Sequence, residues 1–109
     1  MTDTAGTTIS VCPTAELASG QMRLVEHDGR KIGVFNCEGT LYAIEDRCSH
    51  DDGPLCEGDW DPEEGVVICP RHGSNFDIRT GVPLSLPAFE PVETYPVRVE
   101  DGMITVVVP

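Results

Sequence analysis

Two short stretches constrain this chain more than anything else in it. They are Cys48-Ser49-His50 and, after an eighteen-residue gap, Cys69-Pro70-Arg71-His72-Gly73-Ser74. Each supplies one thiol and one imidazole. Side chains of an extended segment alternate with a period of two, so Cys48 and His50 leave the backbone on the same side. A tight turn through Cys69-Pro70-Arg71-His72 also brings its outer pair to one side. Two such loops lying together offer two sulfurs and two nitrogens at one point, a donor set suited to a transition metal. Tetrahedral zinc accepts Cys2His2. Zinc modules usually pair like with like, two Cys in one half and two His in the other, whereas both halves here are mixed.

Cys-x-His followed by Cys-x-x-His-Gly-Ser resembles the Rieske iron–sulfur motif. The resemblance implies one 2Fe–2S cluster, with Cys48 and Cys69 on one iron and His50 and His72 on the other. Four thiolates would leave an oxidised cluster at about −2, whereas two thiolates and two neutral imidazoles leave it near zero, which raises the potential. By the same resemblance Ser74 is the serine whose hydroxyl bonds a bridging sulfide, and Leu86-Pro87-Ala88 is the proline loop over the cluster's third side. High-potential members tie the two loops together with a disulfide. Its positions here hold Pro54 and Arg71, and Phe76 stands where those members carry a Tyr bonded to a ligand sulfur. One sulfur hydrogen bond kept and one lost points to a low potential for such a centre.

The chain has 109 residues, the size of one domain. Its 11 Gly and 9 Pro, with 6% aromatics and no helical periodicity of useful length, suit a loop-rich β protein. Thr8 to Cys12 alternates like a strand, and Pro13 to Leu17 fits one helical turn closed by Gly20. A meander follows: Gln21–Glu26, a turn at His27-Asp28-Gly29-Arg30 that carries an Asp-Gly signal, Lys31–Asn36, a turn at Cys37-Glu38-Gly39-Thr40, and Leu41–Ile44. Gly65–Ile68 leads into Cys69, and Ser74–Ile78 leads away to a turn at Arg79-Thr80-Gly81. Pro96–Glu100 and Met103–Val108 form a hairpin about Asp101-Gly102. The expected fold is all-β, a Rieske-like sandwich of antiparallel sheets with a small inserted cluster-binding subdomain. The expected division within 1–109 is a scaffold at 8–46 and 88–109, a cluster-binding subdomain at 47–87 and a flexible tail at 1–7.

The five Cys leave three beyond the motif, Cys12, Cys37 and Cys56, which in a reducing cytosol are free thiols. Leu55 is expected to pack beneath the cluster. Trp60 caps the subdomain's core or meets a partner, Arg71 is a surface group in reach of Asp51 or Asp52, and His27 has no role. A net charge of −12 argues against nucleic acid and anionic membranes as partners. Nine acids crowd residues 45–64 against Arg47 alone, either a solvated loop or a docking field for a basic partner. The opening residues lack a basic region and an apolar run, so no signal peptide is expected, and the compartment is read as the cytoplasm.

The resemblance bounds the function too. A complete Rieske oxygenase needs a second iron on two His and a carboxylate, and this chain has three His in all. The implied role is not an enzyme but an electron carrier, resembling the soluble ferredoxins of ring-hydroxylating dioxygenases. Its implied partners are a flavoprotein ferredoxin reductase and a terminal oxygenase or other acceptor. The alternatives are a Rieske protein associated with iron–sulfur cluster assembly, the small subunit of an NADH nitrite reductase, or a zinc-stabilised interaction module.

Overall fold

The computed structural model describes residues 7–49, 53–71 and 73–108. Among the described residues are ten strands and one 3-10 turn: β1 (Thr7–Pro13), the 3-10 turn (Thr14–Glu16), β2 (Met22–His27), β3 (Arg30–Cys37), β4 (Thr40–Glu45), β5 (Trp60–Asp61), β6 (Val66–Ile68), β7 (Asn75–Asp77), β8 (Thr94–Tyr95), β9 (Val97–Glu100) and β10 (Met103–Val108). They form three antiparallel sheets, ordered β1-β10-β9, β2-β3-β4-β8 and β5-β6-β7. The all-β expectation holds. Thr7 belongs to β1 rather than to a tail, and the rest of the expected tail lies outside the described residues.

Three hairpins turn on two residues each, with positive φ at both: Asp28-Gly29 (56° and 82°), Glu38-Gly39 (55° and 97°) and Asp101-Gly102 (53° and 76°). This backbone twist matches that of the paired strands, and glycine meets it without a Cβ clash. The turns fix register, pairing His27 with Arg30, Cys37 with Thr40 and Glu100 with Met103. Register in turn decides which face each apolar side chain occupies.

The middle sheet is buried on both faces. Ile32, Val34 and Ala43 point one way and pack with Ile104, Val106 and Val108 of β10. Phe35, Cys37 and Ile44 point the other way, into a second cluster with Cys48, Leu55, Cys69 and Phe76. Two-sided burial explains why Ile32 to Phe35 carries no polar residue. At Gly33 an added Cβ would stand 2.5 Å from the Cys56 sulfur, so the first cluster loop lies directly on this strand.

Leu55, Cys56, Val67, Cys69, Phe76 and Ile78 thereby pack with Phe35, Cys37 and Ile44 on one face of the middle sheet. Trp60, which the sequence left between two roles, meets the ring of Phe35 edge-on with centroids 4.8 Å apart. It packs on the apolar cluster that contains Cys48, Leu55, Cys69 and Phe76, the first of its two readings, and ties β5 to the middle sheet. Among the described residues no helix is long and apolar enough to cross a membrane.

Candidate metal centre

β4 runs straight into the first of the two motifs. Its last residue, Glu45, accepts from Arg47 Nε (2.8 Å) and from the Glu93 amide (3.2 Å). The Asp46 amide donates to Lys31 O at 2.8 Å, and its carboxylate accepts from the amides of Leu55 (2.9 Å) and Cys56 (2.7 Å). That single oxygen closes loop 47–54. Within it the Cys48 amide donates to Gly53 O at 2.7 Å, and the Cys48 side chain is fully buried.

The second motif follows β6 in the same way. Cys69 is 1% exposed, its amide donates to Ser74 O (2.8 Å), and its carbonyl accepts from Gly73 (2.9 Å). The loop is thus closed on itself between β6 and β7. Ser74 is fully buried, and its Oγ accepts from the Ala88 amide at 3.1 Å. The segment before Ala88 is anchored too: Leu84 donates to Asn75 O, and the Asn75 amide donates to Ser85 Oγ (2.8 Å). Ser49 Oγ donates to Glu90 O across the first loop. Three loops therefore converge, around 46–56, 69–74 and 84–90.

The structure brings Cys48 and Cys69 into one buried cluster, with Leu55 and Phe76 fully buried beside them. His50 and His72 lie outside the described residues, as do Asp51 and Asp52, the suggested partners of Arg71. None of the five cysteines forms a disulfide. Burial pushes the Cys56 thiol well up, and the neighbouring Asp46 charge adds to it; burial also raises Cys37. These are protonated structural thiols.

The residues fit an iron–sulfur cluster. A buried thiolate costs several kcal/mol unless a cation compensates it, and a coordinating metal deprotonates the thiol outright. The Ser74 hydroxyl already accepts from Ala88, and among the described residues its own proton has no acceptor. A buried donor of that kind suits a bridging sulfide. Asp46 was missed as a part of the site. It reads as one acid of a charge run, although an Asp between a strand and a Gly/Pro loop is a common backbone acceptor.

The family signature of the Rieske 2Fe-2S domain matches residues 7–96. The chain belongs to the Rieske 2Fe-2S domain family. It is 42% identical over 98 residues to the 3-phenylpropionate/cinnamic acid dioxygenase ferredoxin subunit of Photorhabdus laumondii, covering 90% of this chain and 91% of that one. Among solved structures it is similar to the ferredoxin of carbazole 1,9a-dioxygenase from Nocardioides aromaticivorans IC177, with TM-score 0.88, 33% identity and coverage of 94% and 99%. A chain in the complex of reduced oxygenase and oxidized ferredoxin in carbazole 1,9a-dioxygenase gives TM-score 0.85 at 33% identity, with 92% of both chains covered. The group this Rieske protein holds is a 2Fe–2S cluster, and its role is that of a one-electron carrier, not of a catalyst. The zinc-module reading falls with that match.

Proposed function

We propose that this protein carries electrons one at a time from a flavoprotein ferredoxin reductase to a terminal oxygenase in the cytoplasm, its cluster held by Cys48, His50, Cys69 and His72. Segment 47–87 would be the cluster-binding unit, and 8–46 with 88–109 its scaffold. The observation that carries this reading is the pair of buried cysteines, Cys48 and Cys69, closed into one core beside the Ser74 hydroxyl. The likeness to dioxygenase ferredoxin subunits over 90% or more of the chain supports the choice of partners. The cluster, when bound, supplies a one-electron couple. The protein's residues bury the thiolates, exclude water and offer a hydroxyl proton from one side.

Anaerobically purified protein should be red-brown, contain iron and acid-labile sulfide in equal amounts, and give a rhombic EPR signal on reduction. Alanine at any of the four ligands should abolish all three. NADH with a flavoprotein reductase should reduce the protein, and an added oxygenase component should reoxidise it. Retention of a full cluster in His50→Ala or His72→Ala would overturn the ligand set, and failure of reoxidation would overturn the acceptor.

The potential should lie toward the roughly −150 mV end of the Rieske range. Phe76 is fully buried and offers no hydroxyl, while Ser74 retains one. Ser74→Ala should lower the potential and Phe76→Tyr should raise it, both read by voltammetry. A strongly positive wild-type potential would contradict this.

A further inference from the structure

With 19 acids against 7 Lys and Arg, this chain could pair every cation it has, yet three of the seven gather in one place. Arg30 and Lys31 open β3, and Arg47 follows β4, whose last residue, Glu45, lies opposite Ile32. The three cations line a hollow of about 260 Å³ together with Gly29 and Tyr95. The Tyr95 side chain is 6% exposed and packs in the apolar cluster shared with β10. Burial raises the pKa of its phenol, and the Arg30 guanidinium, which donates to the hydroxyl oxygen, only partly offsets this. The phenol therefore keeps its proton at neutral pH, and among the described residues nothing accepts that proton. A buried donor without an acceptor needs one from outside the chain. Glu45 and Asp46 also border the hollow, but their oxygens are engaged. Glu45 holds Arg47 Nε and the Glu93 amide, and Asp46 holds the amides of Leu55 and Cys56. Arg30 and Lys31 are exposed and form no ion pair among the described residues.

We propose that this hollow binds the phosphate group of a small molecule, free or esterified, through Arg30, Lys31 and the Tyr95 hydroxyl. The site is independent of which acceptor takes the protein's electron. Two cations without a carboxylate partner match a dianion. The planar guanidinium of Arg30 suits two phosphate oxygens, the Lys31 ammonium acts as a point charge, and the Tyr95 proton supplies a donor from the buried side. A carboxylate has one charge and two oxygens and leaves part of this set unused. The hollow is smaller than the cavities that enclose drug-sized ligands, so an ester's remainder would lie outside it. A nucleic acid would bring many phosphates against a chain of net charge −12 and is repelled. The charges of Glu45 and Glu93 also reach Tyr95 and oppose the ligand. Binding should therefore be weak, with a Kd on the order of 1 mM.

The test uses holoprotein at fixed ionic strength, with inorganic phosphate, glycerol 3-phosphate and acetate as probes. Calorimetry reads affinity, and the melting temperature reads the linked stabilisation. Phosphate should bind once per chain and saturate, and acetate should not bind. Glycerol 3-phosphate binding as tightly as phosphate assigns the site to a phosphate ester, and binding of phosphate alone assigns it to the free ion; either result supports the inference. Arg30 and Lys31 are exposed, so Arg30→Gln/Lys31→Gln should keep the visible spectrum while its affinity falls about tenfold or more. Tyr95→Phe removes only the hydroxyl and should cost about threefold to tenfold. Arg98→Gln removes a positive charge from β9, outside the hollow, and should bind like wild type. Tyr95→Phe binding like wild type overturns the donor set, and acetate binding as tightly as phosphate overturns the ligand class. Equal loss in Arg98→Gln would reduce the effect to net charge and overturn the site. A melting temperature that rises without saturation, alike in every variant, is exclusion of phosphate from the protein surface and overturns it too.

Discussion

The carboxylate of Asp46 accepts from two consecutive amides, Leu55 at 2.9 Å and Cys56 at 2.7 Å, and Cys48 follows two residues later. Hydrogen bonds to a charged group are worth about 1.5–3 kcal/mol each, less where water competes. Asp46→Ala should therefore cost about 2–3 kcal/mol and speed cluster loss, whereas Asp46→Asn, which keeps an acceptor oxygen, should cost about 1 kcal/mol. Thermal unfolding and the decay of visible absorbance check both. The Cys56 thiol is pushed up chiefly by burial and further by Asp46. The unfolded chain loses this proton near its ordinary value of about 8.5, while the folded chain keeps it. Stability is thus fully present below that pH and falls as pH rises through the alkaline range, because the unfolded state then binds fewer protons. Cys56→Ser should remain coloured and flatten that alkaline loss, as read by urea unfolding between about pH 8 and 10.

The strands of the β5-β6-β7 sheet are two or three residues long, too short to stand alone. They depend on Trp60 against Phe35, on the shared apolar cluster and, by the reading above, on the metal. In Cys48→Ala, amides such as Ile68, bonded to Asp59 O, should lose hydrogen-exchange protection, while the β1–β10 and β2–β3 ladders keep theirs. Equal protection in all three sheets would show that segment 47–87 holds without its cluster. Much of this arrangement was legible beforehand. Asp28-Gly29 and Asp101-Gly102 name their own hairpins, and the mixed Cys/His halves name the centre. β5 was not legible, because Trp60-Asp61 is two residues among acids and becomes a strand only by pairing with Val66 and Val67. β8 was missed likewise; Thr94-Tyr95 is set by Glu45, which binds the Glu93 backbone at both its amide and its carbonyl. The unbroken Ile32–Phe35 run signals that both faces are covered, but nothing local says by which elements.

Across the whole molecule, the net charge of −12 divides into acids that hold structure and acids that remain available to a partner. Glu45 and Asp46 fix the first loop, and Asp61 accepts from the amides of Glu63 and Glu64. Glu57, Asp59, Glu63 and Glu64 are exposed without such a duty, and in sequence Asp51 and Asp52 adjoin the first motif. The β1-β10-β9 sheet lies beyond the middle sheet from the cluster loops. Packed layers are about 10 Å apart, so the β9–β10 turn stands about 20 Å away, near two Debye lengths at 0.1 M salt. Charges there should hardly be felt by a partner docking at the cluster end. Neutralising Asp51 and Asp52 should therefore slow association with reductase or oxygenase and weaken its salt dependence. Neutralising Glu100 and Asp101, which removes the same two charges, should do neither. Stopped-flow electron transfer across a salt series reads both. A wild-type rate indifferent to salt, or equal losses from the two pairs, would leave the acidic run with solubility as its only duty and remove the case for a basic face on the partner.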